Sequence, residues 1–270
     1  MKTLYITDLD GTLLRNDQTL SDFSAQTLSE LIKNGLCFSF ATARSAKTAM
    51  DVMKKVKSPF FAVVYNGAFI VDTLSGERLV SNAFSGEDSK YVLDTVLSFG
   101  AWPRVYSLIG GEERFTYTGE HLLTDGAREY FRTRKGDSRA RLGKKEDLYE
   151  GEIFLVSCSG EREELTELYD KLKSKYQCHF YSDNYSSDHY LEIVPNGATK
   201  ENGARILKEM YQCDRIVAFG DGVNDISLFR TADECYAVKN ACPELCEIAT
   251  GVIGTNEDDG VVKWLLENVK

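Results

Sequence analysis

The sequence predicts an α/β protein: a mostly parallel sheet flanked by helices, interrupted by an inserted α+β segment. Three observations carry this. Two apolar runs, Leu4–Thr7 and Ile216–Phe219, each end abruptly in an acidic turn that contains glycine, Asp8-Leu9-Asp10-Gly11-Thr12 and Gly220-Asp221-Gly222-Val223-Asn224-Asp225. Strand-like and helix-like segments alternate near both ends of the chain, which is the pattern of parallel pairing with helical crossovers. Between about 84 and 189 the strands and helices lack acidic turns, so this stretch reads as a separate insert. The core is thus expected over 1–83 and 190–270, and the insert over 84–189.

The elements follow in order. Ser21 caps a helix running to about Asn34, with Ala25, Leu28, Leu31 and Ile32 at helical spacing and Gly35 past its end. Leu36 to Ala41 is a strand, Ser45 opens a helix whose inner face is Ala49, Met53 and Val56, and Phe60 to Val64 is a third strand. Asn66-Gly67 signals a turn, and short strands follow at Ala68–Asp72 and Glu77–Ser81. In the insert, Glu87 to Phe99 reads as a helix, and Arg104–Ile109 with Arg114–Thr118 as a hairpin around Gly110-Gly111. His121–Arg134 reads as an interrupted helix, Glu152–Cys158 as a strand, Glu161–Lys175 as a helix and Cys178–Ser182 as a strand. The core is expected to resume with strand Tyr190–Val194, helix Thr199–Met210, strand Ile216–Phe219, strand Cys235–Val238 and a last helix carrying Val261, Val262, Leu265 and Leu266.

If the first and penultimate long strands are parallel neighbours, both acidic turns meet at one carboxyl edge, where open α/β sheets bind ligands. Asp8, Asp10, Asp221 and Asp225 then surround one point, and four carboxylates there call for a hard divalent cation. Taken alone, the Asp8–Asp10 pair fits a solvated acidic turn nearly as well. Thr42, after the second strand, offers a hydroxyl and a helix start that suit an anion, although a lone threonine there is more often a helix cap. Lys200 alone would be a surface lysine.

Together, Asp8-x-Asp10-Gly11-Thr12, Thr42, Lys200 and Gly220-Asp221-Gly222-x-Asn224-Asp225 resemble the haloacid-dehalogenase-like hydrolase superfamily. Asn66-Gly67-Ala68, and Leu191-Glu192-Ile193 leading to Pro195 and Lys200, are similar to its Cof-type branch, capped in the class IIB manner, whose members are mostly sugar-phosphate phosphatases. The resemblance spans most of the chain. It implies a Rossmann-like core with an α+β cap that selects substrate, and Mg²⁺-dependent hydrolysis of small phosphate monoesters through an aspartyl-phosphate. It further implies Asp8 as nucleophile and Asp10 as acid and base. Mg²⁺ would be held by Asp8, the Asp10 carbonyl and Asp221, with Asp225 supporting. Thr42, the Ala43 N–H, Asn224 and Lys200 would lie around the phosphate. Ala43 departs from the branch's glycine: a negative φ there keeps phosphate binding, and a positive φ strains the loop. A phosphomutase is the alternative within the fold, and a silent metal- or phosphate-binding regulatory module the alternative outside catalysis.

The net charge of −10 over 270 residues argues against a nucleic-acid partner. No apolar run approaches the roughly 20 residues that span a bilayer. The seven scattered cysteines read as free thiols in a reducing cytoplasm, and the three histidines form no cluster, so zinc is not expected. The expected partner is a small sugar or polyol phosphate, and the expected assembly a monomer or weak homo-oligomer. The basic run Arg132–Lys145 reads as a solvated face before it reads as a second phosphate site.

Overall fold

The computed structural model describes residues 1–120, 125–133, 135–182 and 188–269. The first segment contains β1 (Thr3–Thr7), α1 (Asp22–Lys33), β2 (Cys37–Phe40), α2 (Ala46–Met53), β3 (Phe61–Val64), β4 (Phe69–Asp72) and β5 (Arg78–Ser81). There follow α3 (Gly86–Ser98), β6 (Arg104–Ile109), β7 (Glu112–Tyr117), α4 (Asp125–Thr133), β8 (Ala140–Leu142), β9 (Glu152–Gly160), α5 (Arg162–Leu172), β10 (Gln177–Ser182) and β11 (His189–Val194). The chain ends with α6 (Lys200–Met210), β12 (Arg215–Gly220), α7 (Ile226–Thr231), β13 (Glu234–Val238), α8 (Pro243–Ile248), β14 (Gly251–Ile253) and α9 (Gly260–Asn268).

These elements form two units, Met1–Ser81 with Gly197–Lys270, and Asn82–Asn196. In the first, five parallel strands run in the order β14-β13-β12-β1-β2. The sheet is covered on both faces, as parallel sheets require. Leu4, Ile6, Ile216 and Ala218 pack with Ala204 and Leu207 of α6 and Leu228 and Phe229 of α7. On the other face, Tyr5, Phe219 and Tyr236 meet Trp264 of α9. Side chains alternate along each strand, so consecutive residues of β1 serve both layers. A parallel bridge from Ala41 to Val63 leads to the antiparallel sheet β3-β4-β5.

The second unit is a six-stranded sheet, β10-β11-β9-β6-β7-β8. One face carries Val105, Val156, Leu191 and Ile193 under Val92, Val96, Leu165 and Leu168 of α3 and α5. The expectation that the core resumes at Tyr190 is corrected here. β11 pairs antiparallel with β10 and β9, so it belongs to the second unit's sheet. Its alternation, with Glu192 between Leu191 and Ile193, is that of a strand with one apolar and one wetter face. The short strands β8 and β14 escaped the sequence reading because three residues carry too little periodicity.

Two members of the basic run are ion-paired. Arg139 meets Glu113 and Asp137, and Arg141 meets Glu150 and Asp147. Arg134 and His121 lie outside the described residues. All seven cysteines are free. Among the described residues, no helix is long and apolar enough to cross a membrane.

Candidate active site

β1 lies between β12 and β2, with Thr7 opposite both Phe219 and Phe40. That register brings the residues after all three strands to one edge. Asp8 continues the ladder, its N–H donating to the Phe219 carbonyl at 3.0 Å. The chain then makes one wide turn, Leu9–Leu13, closed by Leu14 N–H to Leu9 O at 2.8 Å. Gly11 takes φ +75°, and a Cβ there would lie 2.3 Å from Asp221 Oδ2. Only glycine meets both conditions. Thr12 holds the same carboxylate from the other side, its hydroxyl donating to Asp221 Oδ1 at 2.6 Å.

Lys200 is the electrostatic centre. Its ammonium lies 2.9 Å from Asp8 Oδ1 and 2.7 Å from Asp225 Oδ1, and all three side chains are buried. It is the first residue of α6, where the helix dipole disfavours a cation; the two carboxylates offset that. Burial pulls the Lys200 pKa down, but Asp225 and Asp8 outweigh burial and hold it above the ordinary lysine value. Burial raises Asp8, Lys200 opposes the rise, and Asp225 and Asp221 add to it. Burial also raises Asp221, against the Thr12 hydrogen bond.

Carboxylate oxygens of Asp8, Asp221 and Asp225 lie within 4.8 Å of one another. Such an all-oxygen cluster, with two carboxyls biased toward protonation, could hold a hard divalent cation. Asp225 has the least room for direct ligation. Its Oδ1 faces Lys200, and its Oδ2 accepts the Asp221 and Gly222 N–H groups, both at 3.1 Å.

The Asp10 side chain is not in this cluster. Arg44 holds it with two bonds, Nε to Oδ2 at 2.7 Å and Nη2 to Oδ1 at 2.5 Å, and Nη2 also donates to Gln18 at 3.0 Å. Thr42 is buried and its hydroxyl accepts the Arg44 N–H at 3.2 Å. The cap of α2 is Ser45, so Thr42 is not the helix cap. Ala43 is exposed and is not among the residues with positive φ, so the loop is unstrained there. The Asn224 side chain is exposed and makes no hydrogen bond among the described residues.

Arg44 stood next to a recognised position without being assigned a role, and its basic side chain was the available signal. The Asn66-Gly67 turn was legible in the sequence, but its task was not: Tyr65, Asn66 and Gly67 take φ of 49°, 53° and 112°. Tyr65 N–H donates to Arg44 O and Asn66 N–H to Thr42 O, at 2.9 and 2.8 Å. A Cβ on Gly67 would fall 2.3 Å from Thr199 O. This strained turn therefore registers the Thr42 loop against the start of the Lys200 helix, a task only three-dimensional contact reveals.

Gly11→Ala is expected to displace Asp221 and to strain the wide turn. Cation-induced stabilisation, read as the rise in Tm on adding Mg²⁺, should shrink at least severalfold, while the unliganded variant loses about 1–3 kcal/mol. An unchanged Tm response would contradict the close approach described.

The sequence profile of the haloacid dehalogenase-like hydrolases matches residues 5–265. The 5-amino-6-(5-phospho-D-ribitylamino)uracil phosphatase YitU of Bacillus subtilis (strain 168) is 26% identical over 266 residues, covering 96% of this chain and 95% of that protein. The crystal structure of TM0651 from Thermotoga maritima superposes with a TM-score of 0.79 at 23% identity, covering 100% of this chain and 98% of that one. The subclass IIB sugar phosphatase BT4131 superposes with a TM-score of 0.74 at 18% identity, over 99% and 98%. With the two acidic turns, the buried lysine and the full-length profile match in agreement, the chain belongs to the haloacid dehalogenase-like hydrolase family.

Proposed function

We propose that this hydrolase is a Mg²⁺-dependent phosphatase of small phosphate monoesters, with sugar or polyol phosphates as its class. The observation that carries the proposal is the convergence of Asp8, Asp221, Asp225 and Lys200 at one sheet edge, beside Thr42. The name of the Bacillus relative, whose substrate carries a phosphorylated ribityl chain, supports a polyol phosphate. Seven unbridged thiols support a reducing cytoplasmic setting.

Asp8 is the nucleophile of this reading. Its carboxylate oxygen attacks phosphorus, the bond from phosphorus to the leaving oxygen breaks, and Asp10 gives that oxygen a proton. A water then attacks the aspartyl-phosphate, Asp10 takes its proton, and phosphate leaves. Asp10 must leave the Arg44 pair to act, and Arg44 is then free for the incoming anion. Lys200 and Thr42 stabilise charge on the transferring group. Asp8, the Asp10 carbonyl and Asp221 would hold Mg²⁺, with Asp225 orienting Lys200 and the loop. When bound, the cation neutralises the carboxylates and polarises the phosphoryl oxygens. The Ala43 N–H and Asn224 belong to the phosphate side of the site. Substrate choice is assigned to the second unit, because every candidate catalytic residue is in the first.

The test is phosphate release from a panel of sugar, polyol, nucleotide and aryl phosphates, with and without exhaustive chelation. Mg²⁺-dependent release, fastest with a sugar or polyol phosphate, is expected; full turnover after chelation would overturn the cofactor assignment. Asp10→Asn separates the two roles of Asp10. With p-nitrophenyl phosphate, intermediate formation should fall much less than hydrolysis of the intermediate, because p-nitrophenolate needs little protonation. Rapid-quench trapping of the aspartyl-phosphate measures both; equal losses would remove Asp10 from the proton transfers.

A further inference from the structure

β13 runs parallel to β12, with Ala237 opposite Gly220, so the loop after β13 reaches the carboxyl edge where Asp8 and Asp221 stand. Two groups of that loop grip the two acidic turns. The Cys242 N–H donates to the Asp221 carbonyl at 2.8 Å. The Asn240 side chain donates from Nδ2 to the Gly11 carbonyl, also at 2.8 Å. The other end of that amide, Oδ1, accepts the Asn256 N–H at 3.1 Å. Asn256 is 2% exposed, and its Nδ2 donates to the Leu14 carbonyl and to Asn16 Oδ1, both at 3.0 Å. Side-chain amides from distant loops thus hold the wide turn in its middle and just past its end.

Position 11 has to be glycine because Asp221 fills the space of a Cβ. Glycine, however, turns more freely about its backbone bonds than any other residue. The peptide before Gly11 carries the Asp10 carbonyl. The peptide after it leads into Thr12, whose hydroxyl holds Asp221. Gly11 therefore joins two groups whose relative direction matters to a shared cation, and its own preference fixes neither. Asn240 supplies the restraint from outside the turn. Its amide has one orientation here, since the NH₂ faces a carbonyl and the oxygen faces an N–H. Asn240 is itself exposed, so it adds little to the core, and its hydrogen bonds act on the turn. We propose that Asn240 is a positioning residue of the cation site. Through the Gly11 carbonyl it keeps the turn in the orientation in which Asp8, the Asp10 carbonyl and Asp221 can share one cation, and it acts through the turn, not by ligation. This role rests on the phosphatase reading, which supplies those three groups as the ligands of Mg²⁺.

The test is Asn240→Asp in the full chain, with Mg²⁺ binding read in the absence of substrate from the rise in Tm over a Mg²⁺ titration. The carboxylate keeps an acceptor for the Asn256 N–H and sets an oxygen, in place of the donor, against the Gly11 carbonyl. An added negative charge acting through space would tighten Mg²⁺ binding, whereas a misdirected turn weakens it, so the two effects have opposite signs. The Mg²⁺ Kd is expected to rise at least about tenfold, a loss of about 1.4 kcal/mol. The Mg²⁺ concentration for half-maximal turnover should rise with it, while the substrate KM at saturating Mg²⁺ changes by less than about twofold. Asn240→Ala removes the same bond without adding charge and is expected to weaken Mg²⁺ in the same direction. Unchanged or tighter binding in folded Asn240→Asp overturns the proposal. If that variant does not fold, Asn240→Ala decides, and a parental Mg²⁺ Kd overturns it. Failure of both variants to fold also overturns it, since Asn240 would then serve the fold and not the turn. A parent chain that shows no response to Mg²⁺ removes the phosphatase reading's cation and this role together, whereas a parental response retained in the variants removes this role alone.

Discussion

Asp8→Asn is expected to lower steady-state turnover of every phosphate monoester by at least about 10⁴-fold, the scale on which removing a nucleophile disables its catalytic unit. The fold should persist. Asp8 sits at the end of β1, where its backbone N–H bonds Phe219 and its side chain meets Lys200, and an amide keeps the shape. Two losses combine. The amide is a poor nucleophile, and it removes one of the three carboxylates gathered for a cation. Loss of charge alone would weaken Mg²⁺ and be repaired at high Mg²⁺. Loss of the nucleophile would not. Turnover measured against rising Mg²⁺ separates the two, with no recovery expected. Substantial activity in a verified Asp8→Asn preparation would move the nucleophile elsewhere.

Lys200→Met should produce the largest stability change of any single substitution at the site. The variant keeps the volume of the stem and removes the ammonium between Asp8 and Asp225. Breaking a buried ion pair by deleting one partner typically costs about 3–5 kcal/mol, because the other charge stays buried. Here two carboxylates are stranded, with Asp221 close by. Asp8 relieves part of the cost by taking a proton, in line with its already raised pKa. Denaturant unfolding in chelator should show the loss, and saturating Mg²⁺ should recover part of it by binding only the folded state. Turnover is expected to fall about 10²–10³-fold, the usual effect of losing one charge-stabilising donor. A variant as stable as the parent in chelator would mean that Lys200 is not the charge that holds the carboxylates together.

Much of this architecture was legible in the chain. Leu4–Thr7 and Ile216–Phe219 are apolar runs that stop at aspartates, and such strands are buried on both faces. The acidic turns could therefore be placed at a sheet edge before any coordinates. Asp8, Asp221 and Asp225 were singled out from pattern and Lys200 and Thr42 through the family resemblance, and the structure brings these five to the carboxyl edge of one sheet. The helices starting after Ser21, Ser45 and Thr199 were also legible, because their caps are local chemistry.

Tertiary structure decided the rest, where partners are distant in sequence. Arg44 takes the Asp10 carboxylate across 34 residues, so the proposed acid and base rests outside the three-carboxylate cluster. Gly11 has its meaning through Asp221, more than 200 residues away. The turn at Tyr65–Gly67 carries unusual backbone angles because it must touch Thr42, Arg44 and Thr199 at once. β11 joined the second unit because its free edges pair with β9 and β10, and strand pairing is a choice among partners that one strand's own residues do not specify. The sequence by itself determined which residues end the strands. Which of those side chains share one charge balance was decided by packing, since Coulomb energy depends on separation in space and on burial, and neither is a local property of the chain.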